Sequence, residues 1–111
     1  MTGPTRNASP RNAKSSFALA IHGGAGTLRR GLMDEARGAL YRAGLQASLA
    51  AGHDVLAAGG SALDAVSAAV LVLEDDPLFN AGRGASFTSS GTIEMDAAVM
   101  EGRERRAGAV A

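Results

Sequence analysis

Leu73-Glu74-Asp75-Asp76-Pro77-Leu78-Phe79-Asn80-Ala81-Gly82-Arg83-Gly84 is the stretch that decides how this chain reads. It opens as the end of an apolar helix, which acidic residues and a proline then stop. Pro77 cannot continue a helix, and it pushes Asp76 out of helical backbone angles. Gly82 and Gly84 flank Arg83, and glycine permits backbone angles and close approaches that a side chain forbids. Such a concentration of special residues predicts a shaped loop, and shaped loops on rigid scaffolds often carry function.

Upstream, Leu63, Val66, Val70 and Leu73 recur at helical spacing and predict one apolar stripe. Ser61 stands where it can cap this helix, with Asp64 in a capping-box position. Ala62, Ala65, Ala68, Ala69, Leu71 and Val72 fill most of the remaining surface, so the helix is expected to be buried nearly all round. Gly59 and Gly60 end an earlier helix, expected from residue 35 towards residue 58 behind an Asp34 cap. In it Leu45 and Leu49 lie four apart, Leu40, Ala43, Ala47 and Ala50 share a face, and Gly44 and Gly52 weaken it. Two adjacent Ala-rich helices predict a close-packed antiparallel pair.

Residues 27–32 read as a linker. Before them, Phe17-Ala18-Leu19-Ala20-Ile21 reads as a buried strand that opens into His22-Gly23-Gly24-Ala25-Gly26. The glycine spacing is neither that of a dinucleotide fold nor that of a P-loop, so a tight turn with close backbone packing is expected. Downstream of the central stretch the period changes. Residues 85–88 and 92–100 flank Ser89-Ser90-Gly91, a hairpin signal. Residues 101–106 read as a charged turn, and residues 107–111 begin another strand. The chain ends on the apolar Gly108-Ala109-Val110-Ala111, as if inside an element, so it is expected to be truncated. The order is strand, two helices, then antiparallel strands, a single α+β domain over 17–111.

Composition narrows the classes. The chain has 111 residues, 46% hydrophobic, with no cysteine, no tryptophan and two histidines. A disulfide framework and a thiolate metal site are excluded, and zinc held by histidine is not expected. Formal net charge is zero, so neither nucleic acid nor an acidic membrane is implied as partner. No apolar run approaches the ~20 residues of a membrane span. Residues 1–16 are basic, polar and free of acids, and read as a disordered leader or, less simply, an organellar transit peptide. No apolar segment of a secretory signal follows the basic residues, and the expected compartment is cytoplasmic.

The residues alone leave the chemistry open. Glu74, Asp75 and Asp76 oppose the helix dipole at its C-terminal end, so they read either as a solvated helix end or as part of a site for a hard cation. Glu94 and Asp96 share a strand face and suit either acid–base work or pairing with arginine. Asn80 sits in an apolar loop, placed either to tie the loop together or to meet a reacting group. His22 is open to a structural or a catalytic role. No serine stands in a nucleophile elbow.

Several motifs occur together and in order: Ile21-His22-Gly23-Gly24-Ala25-Gly26, Ser61-Ala62-Leu63-Asp64-Ala65, residues 73–84, Ile93-Glu94-Met95-Asp96-Ala97, Met100-Glu101-Gly102 and Gly108-Ala109-Val110-Ala111. The sequence over 18–111 resembles the N-terminal part of the α-subunit of plant-type L-asparaginases / isoaspartyl peptidases, which are N-terminal-nucleophile hydrolases. Glu101 stands where the family usually carries Asp, and the leader is longer than the family needs. Glycosylasparaginases and taspase-like threonine proteases are more distant relatives.

The resemblance implies an αββα sandwich, of which this chain is the incomplete N-terminal portion. It implies a precursor that cleaves itself before a threonine lying downstream of this chain. The freed threonine hydrolyses the side-chain amide of L-asparagine and β-aspartyl dipeptides. Asn80 then supports and orients that threonine, and His22, Gly23 and Gly24 form a glycine loop near the cleavage site. Leu73, Glu74, Asp76, Phe79, Ala81 and Arg83 hold a structural sodium ion, mainly through backbone carbonyls, and no catalytic cofactor is implied. The partners implied are the small-molecule substrate, the β-subunit of the same precursor and a second copy in an (αβ)2 dimer. The rival expectations are a catalytically inactive cation-binding or interaction module on the same scaffold, and a glycosylasparaginase or taspase-like relative.

Overall fold

The computed structural model describes residues 16–26, 31 and 33–111. The leader expected over 1–16, Ser16 apart, and the linker expected over 27–32, Gly31 apart, lie outside the described residues. The elements in order are α1 (Glu35–Ala57), α2 (Ala62–Asp75), a single 3-10 turn (Gly82–Gly84), β1 (Ala97–Glu101) and β2 (Arg106–Val110).

The helix boundaries follow from side chains legible in the sequence. Asp34 caps α1, its Oδ1 accepting from Arg37 N–H at 2.7 Å, and Ser61 Oγ accepts from Asp64 N–H at 3.1 Å at the start of α2. α1 ends in a Schellman motif, in which Gly60 N–H donates to Val55 O and Gly59 N–H to Leu56 O. Gly59 takes φ +85°, a left-handed angle glycine adopts without steric penalty.

The helices do pack as a close pair, but on different faces from those the apolar spacing suggests. The buried residues of α1 are Gly38, Ser48 and Gly52, and those of α2 are Ala65, Ala69 and Leu73. Ser48 and Gly52 on α1 and all three residues on α2 run on a four-residue spacing, the geometry in which ridges of one helix enter grooves of the other. Small residues win the seam because they let the backbones approach. A Cβ on Gly52 would stand 3.0 Å from Ala65 O and 3.3 Å from Ala69 Cβ. Across this dry seam Ser48 Oγ donates to Ala69 O at 2.8 Å, so the buried hydroxyl is satisfied. Leu40, at 57% exposure, lies on the open side of α1, and so do Ala43, Ala47 and Ala50. α2 is likewise not buried all round: Val66, Val70 and Leu71 line an apolar groove of about 570 Å³ facing β1 and β2.

Residues 17–21 are extended and half-buried on alternate positions, with Phe17, Leu19 and Ile21 turned inward. They form no strand, because among the described residues no neighbour offers a ladder to pair with. Their anchors are on α1: Phe17 meets His53 edge-on at 5.5 Å, and Leu19 Cδ2 occupies the notch over Gly52.

The strand region is also shorter than its pattern suggests. Ser89-Ser90-Gly91 does turn the chain, with Thr88 N–H donating to Thr92 O at 2.7 Å, but only Phe87 and Ile93 form a bridge across it. The continuous pairing is β1 with β2, antiparallel, Ala97 opposite Val110 and Glu101 opposite Arg106. Glu101 closes that turn by accepting from Arg103 N–H at 3.0 Å and Glu104 N–H at 2.8 Å. The described residues thus hold a helix pair and a small antiparallel sheet.

Candidate functional site

The loop after α2 is built around Phe79. Asp76 leaves the helix at φ −96°, ψ 112°, as Pro77 requires. Its Oδ1 then accepts from Leu78 N–H at 3.0 Å, and its backbone O from Phe79 N–H at 3.1 Å, which curls the chain inward. Phe79 is 5% exposed. Its ring packs edge-on against Tyr41 at 5.7 Å, and it fills the notch left by Gly44 on α1. A weakening residue by helix propensity is therefore the socket for the loop.

The glycine turn of residues 22–24 comes to the same place. A Cβ on Gly23 would stand 2.9 Å from Leu45 Cδ2 and 3.0 Å from Phe79 Cε1. His22 Nδ1 accepts from Gly24 N–H at 3.0 Å, and Gly24 has φ +120°. The tight turn expected from sequence is present, and His22 serves it directly. The structure thus brings together, on one face of α1, two stretches that are far apart in the chain.

Asn80 follows Phe79 and is exposed. Ser86 N–H donates to its Oδ1 at 2.8 Å. Only the oxygen can accept from an N–H, so the amide orientation is determined, and the Nδ2 donors point away from that anchor. Among the described residues they have no hydrogen-bond partner. Asn80 therefore does tie the loop together, and it still presents donors at the surface.

The acidic residues do not converge. Asp75 pairs with Arg83 Nε at 3.4 Å in an exposed contact worth little. Asp76 turns inward towards Gly44, and Glu74 lines the groove beside the sheet. No carboxylate-rich metal cluster forms among the described residues. The inside of the loop is instead lined by main-chain oxygen. The position a Cβ would take on Gly84 is 2.5 Å from Pro77 O and closer still to Phe79 O, and that on Gly82, at φ +52°, is filled by Glu74 O. The carbonyls of Leu73, Asp76, Phe79 and Ala81 each accept one backbone N–H and keep a second lone pair. By chemistry this donor set suits a hard cation.

Glu94 and Asp96 are exposed and have no ion-pair partner among the described residues. The residues that sequence reasoning overlooked are Gly44 and Tyr41, which seat Phe79, and Ser86, whose backbone anchors Asn80. The four-residue spacing of Gly44, Ser48 and Gly52 was the available signal for the first.

Residues 15–111 match the protein family described as Asparaginase. This chain belongs to that family. The isoaspartyl peptidase of Escherichia coli (strain K12) is 50% identical over 93 residues, covering 84% of this chain and 29% of that protein. The plant-type L-asparaginase of Pyrococcus furiosus is 50% identical over 94 residues, 85% of this chain and 29% of that protein. The isoaspartyl peptidase/L-asparaginase of Xenopus laevis is 48% identical over 92 residues, 83% and 28% respectively. This asparaginase-family chain spans under a third of the length of the curated relatives it matches. Family membership places it in the N-terminal-nucleophile hydrolase superfamily. Among the described residues no helix is long and apolar enough to cross a membrane.

Proposed function

We propose that this chain is the N-terminal part of the α-subunit of an isoaspartyl peptidase / L-asparaginase, within an αββα sandwich. The nucleophile is a threonine downstream of residue 111, freed by self-cleavage of the precursor. Its hydroxyl, deprotonated by its own α-amine, attacks the side-chain carbonyl of L-asparagine or of a β-aspartyl dipeptide. The carbon–nitrogen bond breaks, the amine leaves with the proton, and water then hydrolyses the ester to release aspartate.

The residues described here act in support. The single observation that carries the reading is the meeting of the glycine turn with Phe79, next to an Asn80 whose carbonyl is anchored on Ser86. In this reading Asn80 orients the threonine, while His22, Gly23 and Gly24 shape the backbone near the cleavage site. The carbonyls of Leu73, Glu74, Asp76, Phe79, Ala81 and Arg83 hold a sodium ion, which stiffens the loop and takes no part in catalysis. The working enzyme is a cytoplasmic (αβ)2 dimer, its β-subunit cut from the same precursor.

The test is expression of the complete reading frame. Mass spectrometry is expected to find two subunits, the second beginning with threonine. Ammonia release from L-asparagine and aspartate release from a β-aspartyl dipeptide are expected to exceed hydrolysis of glycosylasparagine. A single uncleaved chain without activity would replace this reading with that of an inactive module on the same scaffold, and a preference for glycosylasparagine would move it to the glycosylasparaginases.

A further inference from the structure

Phe79 is held by two kinds of partner. Gly44 and Gly23 close on it as backbone notches, in which a Cβ would stand 2.7 Å and 3.0 Å from its ring. Tyr41 meets it as a side chain, edge-on, with ring centroids 5.7 Å apart and planes at 85°. The notches limit how closely the ring can approach α1, whereas an edge-to-face pair also sets its direction, because the positive edge of one ring seeks the negative face of the other. Tyr41 is itself braced. The Arg37 guanidinium, one turn earlier on α1, lies over its ring at 5.8 Å, within the range of a cation–π contact. A strut therefore runs from Arg37 through Tyr41 to Phe79.

Asn80 stands at the end of that strut. Its side chain is tied at one point, where Oδ1 accepts from Ser86 N–H at 2.8 Å, and its backbone continues directly from Phe79. A displaced Phe79 carries the Asn80 Cα with it while Ser86 holds the amide oxygen, so the Nδ2 donors swing. We propose that Tyr41 is a positioning residue, whose ring holds Phe79 and through it fixes the direction of the Asn80 donors. The inference rests on the function proposed above for its consequence, which is that turnover falls when the strut is removed. Small errors of placement are costly because the reacting geometry tolerates little displacement. In that reading no described residue is placed on the substrate, so the loss falls on kcat and leaves KM alone.

Variants of the complete protein separate this role from mere packing. In Tyr41→Leu, kcat on a β-aspartyl dipeptide is expected to fall about two- to tenfold, the scale of one lost aromatic pair, with KM unchanged. Tyr41→Phe, which retains the ring, is expected to restore most of that loss. The Tyr41→Leu change made in the Asn80→Asp background is expected to cost nothing further, because a residue that acts only through the Asn80 donors has no effect once they are gone. A merely structural role would lower kcat on both backgrounds alike. The Asn80 side-chain amide signals in ¹H–¹⁵N spectra, assigned by their loss in Asn80→Asp, are expected to shift in Tyr41→Leu and to return to their original positions in Tyr41→Phe.

Equal losses on the two backgrounds, a loss carried by KM, or a Tyr41→Phe protein as slow as Tyr41→Leu would overturn the proposal. If Tyr41→Leu fails to fold, Tyr41→Met, whose flexible chain fills the gap without a ring, is held to the same outcomes. If the complete protein neither cleaves itself nor hydrolyses asparagine, the proposed function falls, and the Asn80 signals alone still judge the strut, which unmoved signals in Tyr41→Leu would sink.

Discussion

Replacing Gly44 by alanine sets two opposed effects against each other. Helix propensity favours alanine over glycine in a helix interior by about 1 kcal/mol, so a reading of α1 by itself makes Gly44→Ala stabilising. The tertiary structure reverses the sign. The new methyl would stand 2.7 Å from Asp76 Oδ2, 2.7 Å from Phe79 Cε2 and 3.2 Å from Phe79 Cζ. Phe79 is a rigid ring in a buried socket, held against Tyr41, and cannot swing aside as a flexible side chain would. Overpacking of this kind costs about 1–3 kcal/mol. With the rigid partner favouring the upper half of that range, the net loss is about 1–2 kcal/mol. Gly38→Ala is the control, since its methyl would meet only the tip of Arg42 at 3.4 Å and Met33 Sδ at 3.6 Å, leaving propensity free to act. Thermal unfolding of the complete protein is expected to show Gly44→Ala lowered by about 2–8 °C and Gly38→Ala unchanged or raised. Because Phe79 carries Asn80, Gly44→Ala is also expected to lower kcat. A Gly44→Ala protein as stable as Gly38→Ala would refute the claim that this glycine is a socket.

The remaining predictions concern the loop and the sheet. Asn80→Asp keeps an oxygen for Ser86 N–H but removes both donors; kcat on a β-aspartyl dipeptide is expected to fall about a hundredfold with little change in melting temperature, whereas Asn80→Ala loses the anchor too and about 1 kcal/mol of stability. Near-native turnover by the Asp variant would remove Asn80 from the site. Exchange of sodium for tetramethylammonium is expected to lower the melting temperature, by the equivalent of about 2.7 kcal/mol where sodium stood a hundredfold above its dissociation constant; an unchanged melt argues against a bound ion. The isolated 111-residue chain is expected to lack a sharp cooperative melt, because Phe87 and Val110 are 73% and 71% exposed and the sheet edges have no pairing strand among the described residues.

The parts of the fold legible in the sequence are those whose causes are local. Asp34, Ser61, Gly59, Gly60 and Pro77 act through their own backbone or within a few residues, and each helix boundary follows from them. The central loop was legible for the same reason, since Asp76, Pro77, Gly82 and Gly84 restrict or release the chain where they stand. The packing faces were not. Apolar periodicity pointed to Leu40, Ala43, Ala47 and Ala50 on α1, yet the seam took Ser48 and Gly52, and Gly44 became the socket for Phe79. Residues 17–21 read as a strand from their alternation, which survives as alternating burial, while the hydrogen bonds that would make a strand need a neighbour.

What the sequence determined by itself, then, is the two helices, their ends, the special backbone of the loop and, through motifs in order, the family. Tertiary structure decided which glycines are sockets, which way Asn80 faces, and that residues 22–24 lie against Phe79. The division has one physical cause. Capping, proline and left-handed glycine are short-range effects written in adjacent residues, whereas the choice between two similar helix faces depends on which allows backbones to come closest, and that is a property of both helices together.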